Sequence, residues 1–199
     1  MVSSKLKKQF EVTVKSAVAP LGKLGITPNM LTILGGVLAT LTGYLFFLAP
    51  RNRVFLIYAG VLIIVSGLVD AIDGVLARST GKVTRFGGFF DSVVDRYSDA
   101  VIYTGIIAAG LCNQLIGLVT LFASMLVSYT RARAEMEGVN MAGVGFAERA
   151  ERMTFLSICS IVSFWYPNLL NYGVIILAVL ALVTVVQRTT YFKKEIEKR

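Results

Sequence analysis

Hydrophobic positions along this chain fall in long unbroken runs, not in the alternation of a strand or the narrow stripe of a surface helix. Residues 31–48, LTILGGVLATLTGYLFFL, carry no charge; Pro50 closes the run and Thr27-Pro28-Asn29 opens it in the manner of a capped helix start. A second run covers about 55–77 and is uncharged until Asp70; a third covers about 86–111 and contains Asp91, Asp95, Arg96 and Asp99. No residue from Ala100 to Thr130 is charged, too long a stretch for one span, and it divides at Asn113-Gln114 into the end of the third helix and a fourth. Met153 to Gln187 is likewise uncharged and breaks at Pro167-Asn168. The pattern predicts an all-α integral membrane protein with six transmembrane helices. Ahead of them, residues 5–19 interleave lysines with Leu6, Phe10, Val12, Val14 and Val18, which suits an amphipathic helix lying in the interface. The basic start has no apolar core behind it of the kind a cleaved signal peptide needs. The expected organisation is an interfacial segment over 1–26, one membrane domain over 27–192 and a basic tail over 193–199, with no internal repeat.

Composition agrees: 55% of the residues are hydrophobic and 16% charged, against roughly 25% charged in soluble domains, which excludes a soluble globular protein. The net charge of +8 would raise nucleic acid as a partner, but the basic residues flank the apolar runs as membrane anchors do, so none is expected. With six spans, all of the 20 Lys and Arg except Arg51 and Arg53 fall on one side, which places both termini in the cytoplasm of a plasma-membrane protein. Cys112 and Cys159 sit in apolar runs without ligand or pairing spacing and read as small buried hydrophobes. The chain has 0 histidines, so acid/base or metal chemistry must rest on carboxylates, Arg and Lys.

All the aspartates, Asp70, Asp73, Asp91, Asp95 and Asp99, lie at the cytoplasmic ends of the second and third spans. A carboxylate at membrane depth costs about 2.5 to 3.5 kcal/mol on insertion scales, so such a cluster implies compensation by cation, water or arginine. Asp70 and Asp73 share one helix face, as do Asp91 and Asp95, and two such faces can converge on one cation. Oxygen-only ligands suit Mg²⁺ or Mn²⁺ and not zinc or copper. Asp99 lies one turn further along and reads as the structural partner of a nearby arginine. Between the pairs, Gly74, Ala77, Gly87 and Gly88 allow close approach, while Arg78, Lys82 and Arg85 are placed to meet anionic oxygens.

Residues 70–95 fit D-x2-D-G-x2-A-R-x8-G-x3-D-x3-D without departure, through Asp70, Asp73, Gly74, Ala77, Arg78, Gly87, Asp91 and Asp95. This pattern resembles the signature of the CDP-alcohol phosphotransferases, membrane enzymes of phospholipid synthesis in which an alcohol attacks a CDP-linked lipid and CMP leaves. The resemblance implies that Asp70, Asp73, Asp91 and Asp95 hold one or two Mg²⁺ ions, with Mn²⁺ as substitute, and that Asp95 takes the proton of the attacking hydroxyl. It implies further that Pro28, Asn29, Met30, Leu31, Asp70, Asp73, Gly74, Ala77, Arg78 and Thr84 border the CDP-lipid, and that the protein is a homodimer.

The acceptor alcohol is a separate question. SYTRARAE at 128–135 and ERAER at 148–152 place Arg131 and Arg152 at the cytoplasmic opening, with Arg188 closing the last span there, so three guanidiniums can converge on a phosphate. Arg133 and Arg149 read equally well as helix-end anchors paired with neighbouring Glu. The pattern resembles the phosphatidylinositol phosphate and archaetidylinositol phosphate synthase branch, which implies inositol phosphate as acceptor and Arg131, Arg152 and Arg188 as its phosphate site, the first standing where the actinobacterial form has Lys. Glycerol 3-phosphate or serine as acceptor are the alternatives within this chemistry. From another class comes a cation-coupled transporter, against which the near-interface position of the carboxylates speaks.

Overall fold

The computed structural model describes residues 24–198 together with Val18. Its helices are α1 (Pro28–Leu48), α2 (Val54–Ser79), α3 (Arg85–Ala108), α4 (Gln114–Met136), α5 (Arg149–Val162) and α6 (Leu169–Ile196), and no strand occurs among the described residues. The expected interfacial helix falls outside these residues, apart from Val18, which is buried against Val75 and Leu76.

The helix starts follow local chemistry. The Thr27 hydroxyl accepts from the Met30 amide at 3.3 Å, with Pro28 in the first turn where no amide is needed. Thr84 caps α3 through the Gly87 amide at 2.9 Å, and Asn113 caps α4 through the Ile116 amide at 3.2 Å. The third helix ends at Ala108, short of the expected 111, because the chain turns at Gly110, whose φ of 66° admits glycine most easily. At the other extreme α6 continues to Ile196 and carries Lys193 and Lys194 on its last turn, so most of the tail is helical.

Four helices, α1, α2, α4 and α6, are long and apolar enough to cross a membrane, and the chain is a multi-pass membrane protein. The six expected spans are thus six helices of unequal character. In α3 the site half is charged through Arg85, Asp91, Asp95, Arg96 and Asp99. The 14 residues of α5 rise only about 21 Å at 1.5 Å each, less than a ~30 Å hydrocarbon core.

Neighbours in space run α1, α2, α5, α6, α4, α3 and back to α1, a closed ring. Small residues and shared hydrogen bonds, not burial from water, hold such helices together. A Cβ on Gly105 would collide with the Gly43 carbonyl, so α1 and α3 touch backbone to backbone. Across α2 and α5, the Ser157 hydroxyl donates to the Gly60 carbonyl at 2.8 Å and that of Ser160 to Leu56 at 2.7 Å. An apolar core of Phe46, Ile63, Tyr103, Ile106, Leu156 and Leu177 fills the ring. Both cysteines are buried and free, as expected.

Candidate active site

Helix direction brings the chemistry to one end. The N-termini of α1, α3 and α5 and the C-termini of α2, α4 and α6 meet there, carrying Pro28, Asp91, Arg149, Asp70, Arg131 and Arg188 respectively. Asp70, Asp91 and Asp95 each offer an oxygen within 4.8 Å of the others. Asp91 Oδ1 is buried and has no hydrogen-bond partner, an arrangement that is costly unless a cation or other donor meets it. No sulfur or imidazole joins the group, so its donor set fits a hard divalent cation.

Asp73 lies beside this trio and not within it. It is 7% exposed, and its Oδ2 accepts from the Thr32 hydroxyl of α1 at 2.7 Å. That bond ties the carboxylate of α2 to α1. Thr32 carried no signal in the sequence, because its role depends on α1 crossing α2.

Asp99 has the arginine partners expected of it. Its two oxygens take Arg149 Nε at 3.0 Å and Arg152 Nη2 at 3.2 Å. Arg149 also reaches Asp95 with Nη1 at 2.7 Å and stands 3.6 Å from Asp70. It therefore links three carboxylates, a role that neither of its two sequence readings contained, whereas Arg133 does pair with its neighbour Glu137 at 2.7 Å. Arg152 is 1% exposed and also donates to the Ala147 carbonyl at 2.8 Å. Arg188, 2% exposed, donates to the Val144 and Val127 carbonyls at 2.9 and 2.6 Å and lies 3.8 Å from Glu148. These two guanidiniums are built into the walls; Arg131, paired with Glu135 at 2.9 Å, is half exposed.

Two cavities flank the aspartates. One, of about 270 Å³, is walled by Pro28, Asn29, Asp73, Gly74, Ala77, Arg78 and Thr84, with Lys82 and Gly87 beside them. A Cβ on Gly74 would stand 3.3 Å from Arg78 Nη1, so the guanidinium lies across that glycine. Met30 and Leu31 are not in this wall: Met30 points outward, 55% exposed, and Leu31 packs on the Val75 and Leu76 cluster. Asp70 instead lines a small recess with Asp95 and Arg149. The other cavity, of about 250 Å³, gathers Arg131, Arg149, Arg152 and Arg188 with Asp91 and Asp95. Asp91 borders both, so the three arginines singled out in the sequence and the glycine-lined groove meet at the carboxylates. A roomier cavity of about 520 Å³ lies at the opposite end, beside Arg53 and Asn113 and away from every aspartate.

Residues 25–186 match the family described as CDP-alcohol phosphatidyltransferase. The chain belongs to that family. It is accordingly a membrane transferase of phospholipid biosynthesis, which moves the phosphatidyl-type group of a CDP-linked lipid to an alcohol. The transferase is 40% identical over 194 residues to the archaetidylinositol phosphate synthase of Pyrococcus horikoshii, covering 98% of each chain. It is 36% identical over 177 residues to the phosphatidylinositol phosphate synthase of Mycobacterium tuberculosis, covering 83% of this chain and 79% of that one. The crystal structure of the mycobacterial synthase with CDP-DAG bound superposes with a TM-score of 0.79 at 30% identity, covering 90% of this chain and 92% of the other. A second structure of that synthase, in complex with manganese and citrate, gives the same score over 90% and 88%.

Proposed function

We propose that this transferase joins the phosphatidyl-type group of a CDP-lipid, diacyl or diether, to a hydroxyl of inositol phosphate, giving phosphatidylinositol phosphate or archaetidylinositol phosphate and CMP. The observation that carries the reading is the contact of the two cavities at Asp91, one lined by glycines and basic residues for a nucleotide diphosphate, the other by guanidiniums for a phosphorylated acceptor. The names of the relatives from Pyrococcus and Mycobacterium support inositol phosphate as that acceptor.

Asp70, Asp91 and Asp95 are the proposed ligands of Mg²⁺, or of Mn²⁺ in its place, with Asp73 as the fourth carboxylate. A divalent cation there would neutralise the diphosphate and stabilise the departing CMP. Gly74, Ala77, Arg78 and Thr84 with Pro28 and Asn29 hold the cytidine diphosphate, and Met30 and Leu31 border the lipid side of the same end of α1. Arg131, Arg152 and Arg188 hold the acceptor phosphate and so aim its hydroxyl at the lipid-linked phosphorus. Asp95 takes the hydroxyl proton as the new phosphorus–oxygen bond forms and the bond to CMP breaks. In this reading α3 and α5 complete six spans over 27–192, residues 1–26 form the interfacial segment, 193–199 the basic tail, and the protein is a homodimer. The distribution of Lys and Arg supports a plasma-membrane location with termini and site on the cytoplasmic side.

The test is CMP release by the purified protein with Mg²⁺ and a CDP-lipid, comparing inositol 1-phosphate, glycerol 3-phosphate, serine and free inositol. Turnover with inositol 1-phosphate alone is expected. Turnover with glycerol 3-phosphate would keep the chemistry and discard the acceptor; turnover with serine or free inositol would discard the phosphate pocket as the selector.

A further inference from the structure

Arg149 is placed where a cation belongs. Its Nη1 stands 2.7 Å from Asp95 and 3.6 Å from Asp70, two of the three carboxylates whose oxygens converge within 4.8 Å. Its Nε is anchored separately, 3.0 Å from Asp99, which lies outside that trio, is 2% exposed and is also held by Arg152. The guanidinium thus has a fixed end and an end engaged with the trio. It also lines the arginine cavity, where Asp91 and Asp95 face Arg131, Arg152 and Arg188 across about 250 Å³ of open space.

We propose that Arg149 is the resident positive charge of the three-aspartate site, holding Asp70 and Asp95 in place before a divalent ion enters and competing with that ion for Asp95. The inference rests on the cation site assigned above. Asp70, Asp91 and Asp95 would repel one another if left uncompensated, and at this depth water screens them poorly. A guanidinium relieves that repulsion through directed hydrogen bonds. A divalent ion relieves it more strongly, but stands next to a like charge for as long as Nη1 stays on Asp95. Entry of the ion therefore turns this arm of Arg149 away from Asp95 and towards the arginine cavity, while Nε stays on Asp99. Arg149 is in this sense a positioning residue, coupling occupancy of the cation site to the charge presented to a phosphorylated acceptor.

A purely supporting role and a competing one predict opposite signs. The experiment is a Mn²⁺ titration, read by electron paramagnetic resonance, of the purified full-length protein and its Arg149→Gln and Arg149→Lys variants without substrates, with melting temperatures in chelator and in saturating Mn²⁺. Arg149→Gln should bind Mn²⁺ tighter by at least about ten-fold, since charges of one and two roughly 5 Å apart repel by that much even under full water screening. It should melt below the parent in chelator, and Mn²⁺ should narrow that gap. Arg149→Lys, which keeps a charge but loses the fork spanning Asp95 and Asp99, should fall between the two and carries the test if the Gln variant does not fold. Unchanged or weaker Mn²⁺ binding in the folded variants overturns the proposal, as does an unchanged melting temperature in chelator. Absence of Mn²⁺ binding in all three proteins overturns the cation site together with it.

Discussion

Arg131→Ala separates binding of the acceptor from integrity of the fold. Arg131 is the one of the three proposed phosphate-binding arginines whose loss leaves no buried charge behind, since it and Glu135 are each 44% exposed. Such a surface pair on one helix contributes only about 0.3 to 0.5 kcal/mol, so the melting temperature should scarcely move. Arg152 and Arg188 offer no such separation: removing Arg152 leaves Asp99, 2% exposed, with one of its two arginines gone, and losing one partner of a buried pair costs about 3 to 5 kcal/mol. For binding, a hydrogen bond to a charged group contributes about 1.5 to 3 kcal/mol, and the exposure of Arg131 points to the lower end. That corresponds to a rise in KM for inositol phosphate of about ten-fold. Glu135 lines the same cavity, so removing its partner also turns an uncompensated negative charge on the acceptor, and Arg131→Ala with Glu135→Gln should recover part of the loss. The CDP-lipid groove does not include Arg131, so the KM for the lipid should stay within about two-fold, less than ~0.5 kcal/mol. The assay is CMP release with each substrate varied at saturation of the other. An equal rise in both KM values, or a fall in kcat with both unchanged, would refute the phosphate role of this arginine.

Asp95→Asn keeps the size of the side chain and its reach to Arg149 but removes the proton acceptor; CMP release should fall at least 100-fold with the melting temperature within a few degrees, as befits loss of general base catalysis worth roughly 10² to 10⁴ in rate. Retained turnover would take Asp95 out of that role. Gly105→Ala drives a methyl into the Gly43 carbonyl and should destabilise the protein by about 1 to 3 kcal/mol, measured by thermal melting in detergent. An unchanged melting temperature would mean that α1 and α3 do not touch there.

Runs of apolar residues and their breaks are local properties, which is why the helix starts could be placed to within about four residues from the chain alone, whereas α4 and α6 run on past the uncharged stretches to Met136 and Ile196. The spacing of Asp70 with Asp73, and of Asp91, Asp95 and Asp99, is equally local, since 3.6 residues per turn put them on shared faces. The phosphotransferase signature and the hard-cation donor set were legible for the same reason, whereas Asp99 could be read as needing an arginine but not which one, since Arg149 and Arg152 come from α5. Near α3 and α5 legibility thins, because charge in one and brevity in the other blur the hydropathy that marks a span.

What only the tertiary structure decided is which of these faces meet. Nothing near Asp73 in the chain says that Thr32 will hold it, or that its position lies outside the trio of Asp70, Asp91 and Asp95. ERAER marks Arg149 and Arg152 as a basic pair, yet their division of labour, one spanning the carboxylates and one sealed against Asp99 and Ala147, follows from the place of α5 in the ring. The physical reason is the range of the interactions. Helix formation and capping act over a turn or two, whereas a guanidinium shared among Asp70, Asp95 and Asp99 is fixed by helices that pack through small residues far apart in the chain. Composition and spacing select the chemistry; the crossing of α2, α3 and α5 assigns each charge its partner.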